Sequence, residues 1–427
     1  MNRYICLMLM GLLLVQAGPR SIAGDWPQFR GAYRSGVSKE TSVPWQWSAA
    51  ENVLWKVELP GPGSSSPITF GNRVYVTCYS GYGVNLKAPG ELADLRRHLV
   101  CVDQATGKVL WTRAAGDPAG SDAPYKDGNI ALHGYASHTP AADAIGVYAF
   151  FGSAGAFGYS HDGEQKWHAA IGSKAKNNSY GSGASPILHE GRLFVNACIE
   201  TAELYAQGDT VALDTSNGRE IWRQKAGGEW SSPCVAFAGG KPELVVATRR
   251  GPWLGLDLAT GKRLWECEAK EYCGTPVVNE GIIHALGGDS RAAIGAGGRG
   301  KVTDTHKLWD STGGTWISSP VYHDGRLYWS ADDGGLVYCA DARTGELIYR
   351  ERLPNCGRIF ASPVVADGRI YYVSREHGTY VLAATSEYQV QAHNRLDDKS
   401  AFNGSPAVSN GCLFLRSDKY LYCLRVR

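Results

Sequence analysis

Proline preceded by serine or threonine occurs eight times in this chain, always within one series: Pro67, Pro140, Pro186, Pro233, Pro276, Pro320, Pro363 and Pro406. The successive intervals are 73, 46, 47, 43, 44, 43 and 43 residues. That spacing is the length of a four-stranded propeller blade, so the marks predict eight blades. The long first interval holds insertions at residues 79–97 and 112–137. A repeat of this kind overrides the ordinary expectation that 427 residues divide into two or three domains. The expectation is an all-β chain: an N-terminal arm at 24–50, then one eight-bladed propeller of antiparallel blades at 51–427.

Each period reads strand by strand. Proline opens the innermost strand, where one side faces a central channel and a missing N–H costs little. A glycine turn follows, as in Gly191-Arg192-Leu193-Phe194 and Gly325-Arg326-Leu327-Tyr328, and leads into an alternating apolar second strand. The third strand ends in Asp-x-x-Thr-Gly at Asp103, Asp257 and Asp341, with Asn217 in place of threonine after Asp214. Aspartate there can accept from the turn's own N–H groups while glycine takes positive φ. The fourth strand carries an aromatic residue four positions after the glycine, at Trp111, Trp167, Trp222, Trp265 and Tyr349. Large flat side chains at one register suit the packing between adjacent twisted sheets. Only 21 residues follow Pro406, enough for three strands. The missing outer strand is expected from Asn52 to Val57, whose Val-Leu-Trp pattern matches that of Lys108 to Arg113.

Composition narrows the class further. Glycine stands at 53 of 427 residues, which fits many tight turns between short strands. Residues 1–23 read as a secretory leader, with Arg3, an apolar run from Tyr4 to Val15, and a Ser21-Ile22-Ala23 cleavage site. The run is too short to span a bilayer, so the mature chain is expected to be periplasmic or secreted. Without the leader, basic and acidic residues balance at 41 each, which leaves no electrostatic case for nucleic acid. Ten cysteines remain after cleavage, with neither the spacing of a disulfide framework nor a metal-ligand motif. Cys267 and Cys273 are near enough in sequence for a short turn to bridge them. Gly295 to Gly300 matches G-x-G-x-x-G by letter, but in a blade the letters do not imply a nucleotide.

The Asp-x-x-Thr-Gly-x-x-x-Trp unit, preceded by Ser-Pro and Gly-x-φ-Tyr, resembles the repeat of the pyrroloquinoline quinone type of β-propeller over nearly the whole mature chain. That repeat occurs in periplasmic quinoprotein dehydrogenases and in the non-enzymatic propeller subunit of the outer-membrane assembly machinery. The stretch Asp25-Trp26-Pro27-Gln28-Phe29-Arg30-Gly31 also resembles the start of many secreted propellers of this class. In the enzymes, the resemblance implies a quinone on an aromatic floor, calcium with Glu and Asn ligands, a base aspartate and a disulfide of adjacent cysteines. This sequence has no adjacent cysteines.

Loops before each inner strand, and those joining second to third strands, gather at one mouth of the channel. From the sequence this face should present Tyr135, His138, Asn178, Glu200, Trp230, Arg249, Asp289, Trp316, Asp332, Arg358, Arg375, His377 and Asn403. Trp230 and Trp316 could share one funnel as a platform for a planar or sugar-like ligand. The expectation is a non-catalytic, monomeric scaffold that needs no cofactor and no metal and binds an envelope protein or a small polar ligand. The alternative is a quinone- and calcium-dependent oxidoreductase acting on alcohols or sugars.

Overall fold

In the computed structural model the chain is described over residues 24–85, 87–115, 132–171, 182–197, 208–227, 230–248, 251–270 and 273–426. The expected leader lies outside these residues. The strands form eight sheets around one channel, each built on four antiparallel strands that follow one another from the axis outward in sequence order, except that the outer strand of blade 8 comes from the N-terminal side and blade 4 carries a fifth strand. The innermost strands begin at the residue after each marked proline, from Ile68–Phe70 in blade 1 to Ala407–Ser409 in blade 8. In blades 3 to 8 the hairpin to the second strand turns on a residue pair with positive φ. Examples are Glu190 and Gly191 at 47° and 72°, and Asp367 and Gly368 at 49° and 69°. This is the primed turn that matches strand twist.

Blade 8 closes as expected. Strand Val53–Glu58 from the N-terminal side pairs antiparallel with Tyr420–Arg425, placing Trp55 opposite Cys423. First and last segments share one sheet, so the ring has no loose end.

Adjacent blades are joined by one device repeated at successive seams. Asp103 Oδ1 accepts from Thr106 N at 2.9 Å and Thr106 Oγ1 at 2.7 Å, which fixes the turn after the third strand. That turn presents Gln104 O to the preceding blade, where Trp55 Nε1 donates to it at 2.9 Å. Trp111, Trp167, Trp222 and Trp309 make the equivalent bond to His161, Thr215, Leu258 and Ala342. Glycine is needed in the turn for its conformation and for the close approach of the indole. At Gly218, with φ 72°, an added Cβ would lie 2.5 Å from Trp167. The hydrophobic core therefore sits at the seams, as in the cluster of Leu99, Cys101 and Trp111 of blade 1 with Val147, Phe157 and Tyr159 of blade 2.

Three seams depart from the pattern; on the outer strand of blade 6 the tryptophan is replaced by Tyr349, whose buried hydroxyl makes no hydrogen bond among the described residues. Trp265 Nε1 donates to Glu243 Oε2 of its own blade at 2.8 Å. The glycine-rich run folds back onto that blade, where Gly300–Lys301 adds a fifth, parallel strand beside Arg263–Cys267. Gly297 N and Arg299 Nη1 also donate to the buried Glu243 carboxylate, at 3.1 and 2.9 Å. The G-x-G-x-x-G letters thus form a clasp whose donors are given to a carboxylate of the chain itself. Between blades 7 and 8, Trp47 of the arm stacks on Tyr371 at 6.5 Å, and the Trp47 backbone N–H donates to Asn394 Oδ1 at 3.0 Å.

Cys267 is a free thiol buried beside Trp253 and Trp265, so the candidate bridge to Cys273 is not made. Its side chain belongs to the seam core, whereas Cys273 lines the channel.

Candidate functional site

The serine or threonine before each marked proline faces the axis, and together these residues form a closed ring. Ser66 N donates to Thr139 Oγ1 at 2.9 Å, Thr139 N to Ser185 Oγ at 3.0 Å, and Ser185 N to Ser232 Oγ at 2.8 Å. The series continues through Thr275, Ser319 and Ser362 to Ser405, whose N–H returns to Ser66 Oγ at 3.0 Å. Every blade thus gives one N–H and receives one at the channel wall. The bonds satisfy backbone groups that the short innermost strands would otherwise leave open.

Residues alternate in direction along an extended chain, so the position two before each ring residue also faces the axis. Those eight positions are Ser64, Ser137, Gly183, Trp230, Cys273, Ile317, Phe360 and Asn403, and all line the same pocket, of about 360 Å³. Here the repeat gives way to variety. Blades 4 to 7 supply an apolar arc of Trp230, Cys273, Ile317 and Phe360. Blades 8, 1 and 2 supply a polar arc of Asn403, Ser64 and Ser137. Gly183 is a gap that the Trp230 indole covers, since a Cβ there would lie 2.7 Å from it. His133 meets the same indole edge-on at 4.8 Å. Trp316 stands at the rim, half exposed, with its backbone N–H donating to Asp332 Oδ1 at 3.1 Å.

The other end of the channel is closed by the arm. Thr69 N donates to Trp26 O in blade 1 at 2.9 Å, Ala142 N to Pro27 O in blade 2 at 2.8 Å, and Leu188 N to Gln28 Oε1 in blade 3 at 2.9 Å. Arg30, fully buried, donates to Pro320 O of blade 6 and to Ser35 O. Val37 bridges Val365 of blade 7, and Glu40 accepts from Asn410 N and Gly411 N of blade 8 at 2.9 and 2.7 Å. Phe29, between these anchors, forms the pocket floor.

Of the residues expected at the mouth, Trp230, Trp316, Asp332 and Asn403 line the pocket. Arg358 and Arg375 flank Phe360, with guanidinium carbons 5.8 and 5.1 Å from its ring centroid. Asn178, Glu200 and Arg249 lie outside the described residues. The remaining four are placed elsewhere. Tyr135 packs against Tyr79 at 5.4 Å in a satellite core beneath the first-blade insertion. His138 precedes a ring residue by one, so it points away from the axis, edge-on to Phe150 at 4.7 Å with Nε2 3.0 Å from Ser182 Oγ. Burial pushes its pKa down to about 3, helped by the charges of His133 and Arg97, and it is neutral. Asp289 is exposed and pairs with Lys270 at 3.0 Å. His377 lies in a cleft beside blade 8, with its carbonyl facing His393 Nε2 at 2.7 Å. Phe29, His133, Phe360 and the hydroxyl ring were not among the expected lining; counting back two from each ring residue would have found Phe360.

Eight blades, an N-terminal closing strand and one floored channel define an eight-bladed β-propeller of the pyrroloquinoline quinone repeat class. The sequence matches the family described as outer membrane protein assembly factor BamB over residues 46–210, 206–302 and 298–399, and the chain belongs to that family. Among solved structures it is similar to BamB from Moraxella catarrhalis, with 15% identity, 88% of this chain and 97% of that chain covered, and a TM-score of 0.61. It is also similar to the computationally designed Ika8 protein, at 12% identity, 88% and 100% coverage and a TM-score of 0.59. A europium-containing methanol dehydrogenase shares 10% identity over 92% of this chain and 89% of that chain, with a TM-score of 0.50. At these identities the likeness is one of fold. No curated protein matches the chain. Among the described residues no helix is long and apolar enough to cross a membrane.

Proposed function

We propose that this protein is a non-catalytic periplasmic or secreted scaffold that holds a ligand, or a projecting group of a partner protein, in the channel mouth. The observation that carries this reading is the contrast within one wall. Ring hydroxyls are the same in every blade and are spent on joining blades. The positions two residues away divide into an apolar arc and a polar arc over a closed floor. An amphipathic ligand would find an aromatic face on blades 4 to 7 and hydrogen-bonding groups on blades 8, 1 and 2, in a pocket of ordinary ligand size. Membership of a family described by outer-membrane assembly supports an envelope location and a protein partner.

The donor set gives less support to the quinone reading. Among the described lining residues Asp332 is the one carboxylate, there is no glutamate, and Asn403 stands two blades away. No cluster of three or more His, Cys, Asp or Glu side chains suited to a metal occurs among the described residues. Calcium with a Glu and Asn ligand set and a separate base aspartate would need more oxygen donors than this lining offers. Glu200 lies outside the described residues. Titration of the purified protein with pyrroloquinoline quinone and calcium, followed by dye reduction with alcohols and sugars, tests the choice. Absence of turnover is expected; stoichiometric tight binding with turnover would overturn it.

A further inference from the structure

Of the 13 tryptophans in this chain, Trp316 alone is exposed, at 50%. It lines the mouth, and its backbone is tied on both sides. Cys273 N of blade 5 donates to its carbonyl at 3.1 Å, and its own N–H goes to Asp332 Oδ1, which also accepts from Thr315 Oγ1 at 3.3 Å. The fold thus holds a large apolar surface out at the rim, pre-organised for contact. The same bonds orient Asp332, which lines the pocket beside it. Its Oδ1 is occupied, whereas Oδ2 accepts no hydrogen bond among the described residues and, unlike the sealed Asn403 Oδ1 of blade 8, is open to solvent. An indole and an open carboxylate oxygen are therefore fixed to each other at the pocket's edge. Below them lie the eight ring hydroxyls, each accepting one N–H and none with an acceptor for its own proton among the described residues.

Charge narrows the ligand's class. Among the described lining residues there is no lysine or arginine, so an anion would meet the Asp332 carboxylate with no cation in contact. A cation would face the arginines behind the lining: Arg30 beneath the floor, bonded to Pro320 O, and Arg358 and Arg375 against Phe360. A neutral ligand with several hydroxyls meets neither cost. We infer that the mouth binds a neutral pyranose sugar, with the flat C–H face of its ring on the Trp316 indole and neighbouring hydroxyls donating to Asp332 Oδ2. This rests on the reading of the mouth as a ligand site and adds the ligand's class. Trp230 is wall rather than platform, because Gly183 and His133 already pack against its indole.

Saturation-transfer NMR and calorimetry on the purified full chain test the inference. The probes are the methyl pyranosides of glucose, galactose and mannose, with 1-naphthol as a neutral apolar control and choline as a cation. At least one pyranoside is expected to bind, with transfer strongest on the C–H groups of one ring face. Asp332→Asn keeps Oδ1 as the acceptor for Trp316 and puts an amide donor where the open oxygen stood. It should weaken that pyranoside about tenfold and leave 1-naphthol unchanged. Trp316→Ala should abolish sugar binding, and Trp316→Phe should retain part of it. Binding of 1-naphthol without any pyranoside overturns the sugar assignment and leaves the mouth standing as a ligand site. Sugar affinity unchanged in Asp332→Asn and Trp316→Ala, or choline binding more tightly than every pyranoside, overturns it as well. No binding of any probe overturns both.

Discussion

The channel has two ends built on different rules. The floor comes from one segment that occurs once in the chain, and its bonds reach across the axis: Trp26 to blade 1, Gln28 to blade 3, Arg30 to blade 6, Glu40 to blade 8. The mouth comes from eight equivalent positions, one per blade, whose geometry is repeated and whose side chains are not. The floor therefore holds non-neighbouring blades together, while the mouth can vary without cost to the ring. Stability and recognition are divided between the two ends.

The largest expected effect tests the floor and the closing strand together. Deleting residues 24–58 removes every floor anchor and the strand opposite Tyr420–Arg425, exposing the edge of blade 8 and leaving the seam of Trp55 empty. Thermal unfolding should then lose its cooperative transition at the full-length temperature; an unchanged melting temperature would refute closure.

Trp26→Ala probes the floor alone. The indole is buried at 3% exposure, and its loss should cost about 3 to 5 kcal/mol in a denaturant titration. A cost below about 1 kcal/mol would place the floor outside the cooperative unit.

Acid sharpens the comparison within the wall. Burial pushes His138 down to about 3 and His284 down to about 4, against an unfolded value near 6.5. Both are neutral in the fold, so below pH 6.5 the unfolded chain takes up protons that the folded chain refuses. Stability should be flat above pH 6.5 and fall towards pH 4 by up to about 1.4 kcal/mol per pH unit for each histidine. His284→Phe should reduce that slope, and a slope unchanged by the substitution would remove His284 from the account.

The repeat made the scaffold legible. Ser-Pro, the turn glycine and the outer-strand tryptophan each recur at one spacing, so blade number, strand order and the closing strand could be placed before any coordinate. The hydroxyl ring was written in the same letters, but its bonds join residues 43 or more apart and become visible only once the blades are arranged in a circle. His138 was misplaced for a local reason: it stands one residue from the ring, and alternation turns it into the wall. Tyr135 was misplaced because an insertion builds its own small core. The clasp at Gly295 to Gly300 replaces the repeat's turn, and its partner Glu243 lies on another strand. Phe29 and Arg30 belong to no repeat, so nothing in the spacing pointed to the floor.

Ligand-induced thermal stabilisation, measured in parallel on the wild-type protein and on the Trp230→Ala, Trp316→Ala double variant, tests the division between floor and mouth most directly. Trp316 is half exposed and Trp230 lies on the channel surface, so the double variant should melt within a few degrees of wild type. Screened against sugars and envelope-derived peptides, compounds that stabilise the wild-type protein should fail to stabilise the variant. A ligand whose stabilisation survives the loss of both indoles would place recognition away from the mouth and contradict the account.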